Sequence, residues 1–272
     1  KKSIERAMDS PDDEIVDRLI QLIQEPDVGP DSREAAAIAL AQMPDGRGGD
    51  FLLQLICSDD PGLRGIAALA LGHLQTEASM SALIKALADE VNTVRNLAER
   101  SLLTMVEVVR EKGVEQLLEL LSHSVPLTRS PAARVIGRTR DPRALGPLLD
   151  ILQTDPQWLA RMWSAKALGE LGMTEAFDAL SEALKSDEKN RVRAAAAEAI
   201  AFWLSERDRM PLHLVLGMIN SKDPGEFLGP LKGHIDSLYT VPIPGEAASL
   251  SAGELAARAG ENGLLATPAV DV

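Results

Sequence analysis

One frame recurs six times along this chain, and it constrains the fold more than any other feature. Its reference copy is Asp155 to Gly172, DPQWLARMWSAKALGELG, in which Arg161 has an aspartate six residues before it and Ala-Leu-Gly six to eight residues after. Sliding the frame along the sequence finds Arg33, Arg64, Arg95, Arg129 and Arg193, so the intervals are 31, 31, 34, 32 and 32 residues. Three residues past each arginine stand Ala36, Ala67, Ala98, Ala132, Ser164 and Ala196, all small. Seven past stand Leu40, Leu71, Leu102, Ile136, Leu168 and Ile200, all aliphatic. A fixed period of roughly 20 to 50 residues marks an array whose repeats bury their apolar faces only against their neighbours.

Each repeat reads as two helices. The first helices are expected near 13–24, 50–57, 78–88, 113–122, 143–153 and 174–185, and the second near 32–43, 62–74, 91–109, 128–139, 157–171 and 189–205. Acid-proline or acid-polar turns such as Asp59-Asp60-Pro61, Asp155-Pro156 and Asp187-Glu188 join them, since proline is tolerated in a first helical turn, where its missing N–H costs nothing. Aromatic residues are only 3% of the chain, so the core is built of Ala and Leu, which suits closely packed helices. The third repeat departs: Glu99, Ser101 and Leu103 replace Ala, Ala and Gly, and its second helix is expected to run on through Glu107 to Lys112.

With these residues in place, the chain resembles HEAT-like repeats of the short type seen in phycobilisome lyase subunits and many bacterial adaptor proteins. The resemblance covers roughly residues 13–205. It is carried by the Asp and Arg six apart (Asp27 with Arg33, Asp89 with Arg95, Asp155 with Arg161, Asp187 with Arg193) and by the Ala-Leu-Gly runs at 70–72 and 167–169. It implies an all-α, right-handed α-solenoid of about six helix pairs, with the aspartate in the turn and the arginine hydrogen-bonding along the array as a structural ladder. The frame departs at Ser58 and His123, which hold the aspartate position in the second and fourth repeats. Ladder continuity is in question there.

Beyond Trp203 the frame fades. A 12-residue lead-in, the array at 13–205, terminal capping helices at 206–239 and a Pro/Gly/Ala-rich tail at 240–272 are the expected divisions. The cap is read as an outer helix at Asp208 to Ile219, entered by Pro211, and a second at Glu226 to Leu238. The tail is expected to be disordered alone or pinned to the array or a partner, with one helix signal where Ser251 and Glu254 have capping-box spacing.

Chemistry is sparse. His73, His123, His213 and His234 fall in separate repeats, with no HExxH, no His-Glu dipeptide of the sort HEAT-like hydroxylases carry, and only His73 and Glu77 at ligand spacing. No phosphate-binding glycine loop occurs; Gly46 to Gly49 reads as a turn. Cys57 is single, so it makes no internal disulfide, and it reads as a small core residue. No catalytic residue, cofactor or metal is expected. The net charge of −13 disfavours non-specific nucleic-acid binding, which needs clustered cations. Residues 1–60 carry 14 acids against 6 bases, read as a solvated outer face with a docking surface as the alternative. No run of about 18 apolar residues predicts insertion in a membrane. Cytoplasm is the default location, with a removed leader left open because residue 1 is Lys.

Helical phase points to the surface. At 100° per residue, positions three, six, seven and ten past each ladder arginine share a core face, and positions two, five and nine point the other way. That side is expected to line a groove. It begins apolar with Ile38, Ile66, Leu69 and Leu97, and turns basic with Arg100, Arg134, Arg138 and Lys166 around Trp163; Phe202 closes it. The competing reading places the position-two residues half-buried against the adjacent second helix. The function expected is a protein-binding scaffold or adaptor whose groove takes a protein partner, an acidic peptide or helix suiting the basic strip. Such a protein could be a subunit or assembly factor of a larger complex, its tail docked on a neighbour. The alternative is a bilin-lyase-like or other HEAT-type enzyme subunit acting on a protein substrate.

Overall fold

The computed structural model describes residues 11–43, 46–205, 212–220 and 222–269. The chain forms two compact units, Lys1–Thr139 and Arg140–Val272. In the first, α1 (Pro11–Gln24) pairs with α2 (Pro30–Ala41), α3 (Arg47–Leu55) with α4 (Pro61–Leu71), α5 (Glu77–Ala86) with α6 (Asn92–Thr104), and, after the short α7 (Val106–Lys112), α8 (Val114–Leu121) with α9 (Pro126–Thr139). The second members stack in the order α2, α4, α6, α9, the arrangement of an α-solenoid. In the second unit α10 (Leu145–Thr154) pairs with α11 (Trp158–Leu171), α12 (Phe177–Ser186) with α13 (Asn190–Ser205), and α11 packs on α13.

Local chemistry sets the helix starts. Pro30 and Pro61 open α2 and α4, and the Asp60 carboxylate accepts the Gly62 amide at 2.7 Å. Thr76 and Ser79 form a reciprocal capping box on α5, which satisfies two otherwise unpaired backbone donors. The residues three, four and seven past each ladder arginine are buried in all six repeats, so the second helix of a pair is packed both on its own first helix and between its neighbours.

The glycine of Ala-Leu-Gly has a packing reason. A Cβ on Gly169 would lie 2.7 Å from Cα and Cβ of Ala199, and one on Gly72 would lie 2.8 Å from Cβ of Ser101. Both contacts join the residue eight past one arginine to the residue six past the next. Small residues at these two positions let successive second helices approach closely, and ordinary side chains would hold them apart.

Several expectations are corrected. The second helix of the third repeat does not run on: it breaks at Met105 (φ −119°, ψ 35°), and α7 turns back against α5 and α9. The break buries both Met105 and Val109. Cys57 is exposed, because Ile56 takes the inward position at the end of α3.

The residues after α13 are not capping helices. Leu212–Leu216 forms strand β1, the short helix α14 spans Gly225–Leu228, Ile235–Thr240 is β2, α15 is Ala252–Glu261, and Ala266–Pro268 is β3. The strands make a parallel sheet in the order β1, β2, β3. Burial along β1 alternates with period two, and a short apolar run such as LHLVL suits a strand as well as a helix. Pro230 and Gly233 stop the second expected helix after one turn. The part of the first expected helix at 208–211 lies outside the described residues, as do residues 1–10 of the lead-in. The tail from 240 is folded onto this sheet: Leu255, Ala259 and Leu264 are buried, Thr240 Oγ1 donates to the Ala252 carbonyl at 2.8 Å, and Ser251 and Glu254 form a capping box.

Candidate interaction face

The ladder arginines first. Each guanidinium reaches back to its own turn: Nη1 donates to the carbonyl six residues before, Arg64 to Ser58 (3.0 Å), Arg95 to Asp89 (2.7 Å), Arg129 to His123 (2.7 Å), Arg161 to Asp155 (2.8 Å) and Arg193 to Asp187 (2.7 Å). Arg33 instead donates twice to the Glu25 carbonyl, at 3.1 and 2.8 Å. Asp27 is therefore not its partner in the turn; it is exposed, displaced by the longer Pro-Asp-Val-Gly-Pro connection.

Two arginines also reach forward as forks. Arg64 donates to Asp89 at 2.7 and 3.0 Å, and Arg161 to Asp187 at 2.7 and 3.0 Å. The receiving aspartates accept as well from the amide two residues on, Val91 at 2.8 Å and Lys189 at 2.9 Å; Asp155 does the same with Gln157 at 2.8 Å. That is the aspartate turn, in which a side chain stands in for a backbone carbonyl. Burial disfavours the Asp89 carboxylate, but the Arg64 fork, the Val91 amide and the charges of Arg64 and Arg95 outweigh it and hold its pKa below the usual aspartate value. The Asp89 bond raises Arg64, and the Asp187 bond raises Arg161. A cleft of about 530 Å³ in the second unit is lined by Leu152, Asp155, Glu182 and this Arg161–Asp187 pair. Its Asp155, Arg161 and Asp187 are already engaged in the ladder, and Glu182 accepts from the Ser186 hydroxyl at 2.8 Å.

The opposite face is different. None of the residues five and nine past the ladder arginines is buried, in any of the six repeats. In the first unit these include Ile38 and Leu69, half-buried, and Arg100, Arg134 and Arg138, exposed. The position-two residues Ile66 and Leu97 are half-buried, and Leu97 Cδ1 would lie 3.2 Å from a Cβ on Gly65 of the preceding second helix. They seal the joint between neighbours as much as they face outward. Arg134 forms an ion pair with Glu99 of α6.

In the second unit Trp163 is half-buried, with Lys166 Nζ 5.6 Å from its ring centroid, and Lys166 is also paired with Glu198 at 2.7 Å. Phe202 is 37% exposed, with the Arg140 guanidinium 5.8 Å from its ring. Trp163, Lys166 and Phe202 thus share a face in the second unit, and the other seven residues of the expected groove lie in the first.

Sequence reasoning marked Glu99 as a departure from the repeat and gave it no role. Four residues past the ladder arginine stand Ala37, Ala68, Ala133, Ala165 and Ala197, so a carboxylate in that row is the signal that would have found it. It is 9% exposed, and burial pushes its pKa up although the Arg134 charge and bond pull the other way. Among the described residues no three His, Cys, Asp or Glu side chains are grouped to hold a metal, and no helix is long and apolar enough to cross a membrane.

Stacked helix pairs with a turn-edge ladder and an open opposite face define a helical-repeat protein. The sequence matches the family of HEAT repeats over residues 16–103 and 114–201, and the chain belongs to that family. Solved structures it is similar to include the HEAT-like repeats protein of Thermococcus onnurineus NA1 (19% identity over 72% of this chain and 82% of that one, TM-score 0.45). YibA of E. coli matches at 19% over 70% and 72%, with a TM-score of 0.49. A chain of the CpcE and CpcF complex of phycocyanin lyase from Nostoc sp. PCC7120 matches at 20% over 72% and 76%, with a TM-score of 0.37.

Proposed function

We propose that this protein is a protein-binding scaffold, and that its partner docks on the second-helix face opposite the ladder. The observation that carries the reading is the contrast along each second helix: positions three, four and seven are buried in all six repeats, and positions five and nine in none. In the first unit that outward face carries Ile38 and Leu69, then Arg100, Arg134 and Arg138; in the second, taken by itself, Lys166 and Phe202 lie beside Trp163. Apolar side chains in sequence on a surface favour a partner that covers them, and Trp and Arg are enriched among residues that dominate interface energies. An acidic peptide or helix is the partner chemistry that the arginines suit.

Site-specific photo-crosslinking in the native cell tests the reading. A photoreactive residue at Leu69 should trap one partner reproducibly, and a residue at Glu119, on a first helix of the same unit, should not. Equal labelling from both positions, or none from Leu69, would remove the proposal.

A further inference from the structure

The outward row of the first unit has a register. The residue five past the arginine is Ile38 on α2, Leu69 on α4, Arg100 on α6 and Arg134 on α9, and these four helices are successive neighbours. The row therefore reads apolar, apolar, cationic, cationic. Neighbouring packed helices are about 8–10 Å apart, and residues seven apart on one helix are about 10.5 Å apart along its axis. A single ligand helix laid across the four can then meet each row member with one residue per heptad.

Resting on the scaffold reading above, we propose that the first unit recognises an acidic amphipathic helix carrying two apolar residues and then two carboxylates at heptad spacing. The apolar pair would seat on Ile38 and Leu69 and the carboxylates on Arg100 and Arg134.

Charge locates the site here and not in the second unit. No carboxylate stands two, five or nine past a ladder arginine in the first unit, whereas in the second Lys166 shares those rows with Glu170 and Glu198. On a chain of net charge −13, a local cluster of Arg100, Arg134 and Arg138 is a complementary target for an acidic segment, and such complementarity sets partner choice more than raw affinity. Arg100 is exposed and makes no hydrogen bond or ion pair among the described residues. Arg134 is paired with buried Glu99 of the preceding second helix, which holds its guanidinium in place. Glu99 is thus a positioning residue: it fixes a guanidinium before the ligand arrives, so less side-chain freedom is lost on binding.

The test uses the full chain and synthetic helices of about 24 residues, lactam-stapled on the solvent side, read by fluorescence anisotropy at low and at physiological salt. The probe carries Leu, Leu, Glu, Glu at heptad spacing; one control has Lys for the two Glu, and another has the two Glu shifted by three residues. Expected are saturable, salt-weakened binding of the probe and at least tenfold weaker binding of both controls. Arg100→Glu should weaken the probe at least tenfold and Lys166→Glu less than twofold. Glu99→Gln should weaken it about threefold to tenfold while leaving the binding of an all-Leu analogue unchanged, a split that a merely structural role would not produce.

Equal binding of the probe and the shifted control, or indifference to Arg100→Glu, would overturn the inference. If the probe fails while a crosslink from Leu69 still traps one partner, the acidic register is wrong and the scaffold reading stands. If that crosslink fails too, both are wrong.

Discussion

The Arg161–Asp187 fork offers a direct measure of what the ladder contributes. Asp187→Ala removes two charge-assisted bonds from Arg161, at 2.7 and 3.0 Å, and the turn bond from the Lys189 amide at 2.9 Å. Breaking one side of a fully buried pair costs about 3–5 kcal/mol, because the remaining charge is stranded. Here the two side chains are 10% and 8% exposed and the Glu188 carboxylate lies 3.5 Å from Arg161, so part of the loss is offset by water and a substitute acid. About 2–3 kcal/mol is expected, and a similar value for Arg161→Met. The double variant Arg161→Met with Asp187→Leu strands nothing, so it should cost no more than the larger single, a coupling of about 2 kcal/mol. Native-state hydrogen exchange of α11 and α13 amides reads the change locally, without assuming that a repeat array unfolds in one step. Single costs that add to within about 0.5 kcal/mol would refute the pair as a stabilising joint. Arg95, which has carbonyls and Asn92 but no carboxylate, supplies the control: Arg95→Met should cost less than Arg161→Met.

The other tests are simpler. Gly169→Ala gains about 1 kcal/mol of helix propensity but presses a methyl onto the Ala199 backbone at 2.7 Å, an overpacking worth about 1–3 kcal/mol. Net destabilisation is expected by urea melting, whereas Gly146→Ala, with nothing within 4 Å, should stabilise. Glu99→Ala restores the alanine of the other five repeats and removes a buried carboxylate whose pKa is raised by burial. It should stabilise by about 1 kcal/mol at neutral pH. Because the folded state binds the Glu99 proton more tightly than the unfolded state does, that gain shrinks as pH falls below the folded pKa and is gone below the unfolded one. Asp89 runs the opposite way. Its folded pKa is depressed, so its contribution is full above the unfolded aspartate value and is lost as pH falls through the folded one; acid melts of wild type and Asp89→Asn should converge at low pH.

The helix pairs were legible because six copies of one frame fix period, core face and turn together: positions three and seven past each arginine are buried in every repeat. The second helices were placed to within a few residues, apart from the break at Met105. That break obeys tertiary packing and leaves no local mark, since Met105 is a good helix former that turns to let Val109 into the core. The C-terminal sheet was illegible for a related reason. LHLVL and IDSLYT are short segments without a repeat to arbitrate between helix and strand, and the partners that decide it, Val215 with Tyr239 and Tyr239 with Thr267, are far apart in sequence. On the candidate face, phase found the outward row, but it does not say how deeply position-two residues sit between neighbours, and Leu97 against Gly65 shows that depth depends on the adjacent helix.

The irregularities of the third and fourth repeats belong together. At the joint of α4 with α6 the turn edge is tied by Arg64 and Asp89, and at that of α11 with α13 by Arg161 and Asp187. At the joint of α6 with α9 the equivalent acceptor is His123, so Arg95 donates only to its own turn. The same joint carries an ion pair on the opposite side, Glu99 with Arg134, the glutamate standing in a row that is otherwise alanine; the joint of α11 with α13 has one there as well, Lys166 with Glu198, in addition to its turn-edge fork. At the α6–α9 joint the charged contact between second helices thus lies on the outward face, and the turn-edge position holds a histidine. A tie at the turn edge serves stability, whereas the buried Glu99 carboxylate, itself a cost to stability, sets the orientation of Arg134 beside Arg100. His123→Asp would separate the two roles: it should stabilise the α6–α9 joint and leave recognition of an acidic helix as it was, while Glu99→Gln should weaken recognition without destabilising the joint.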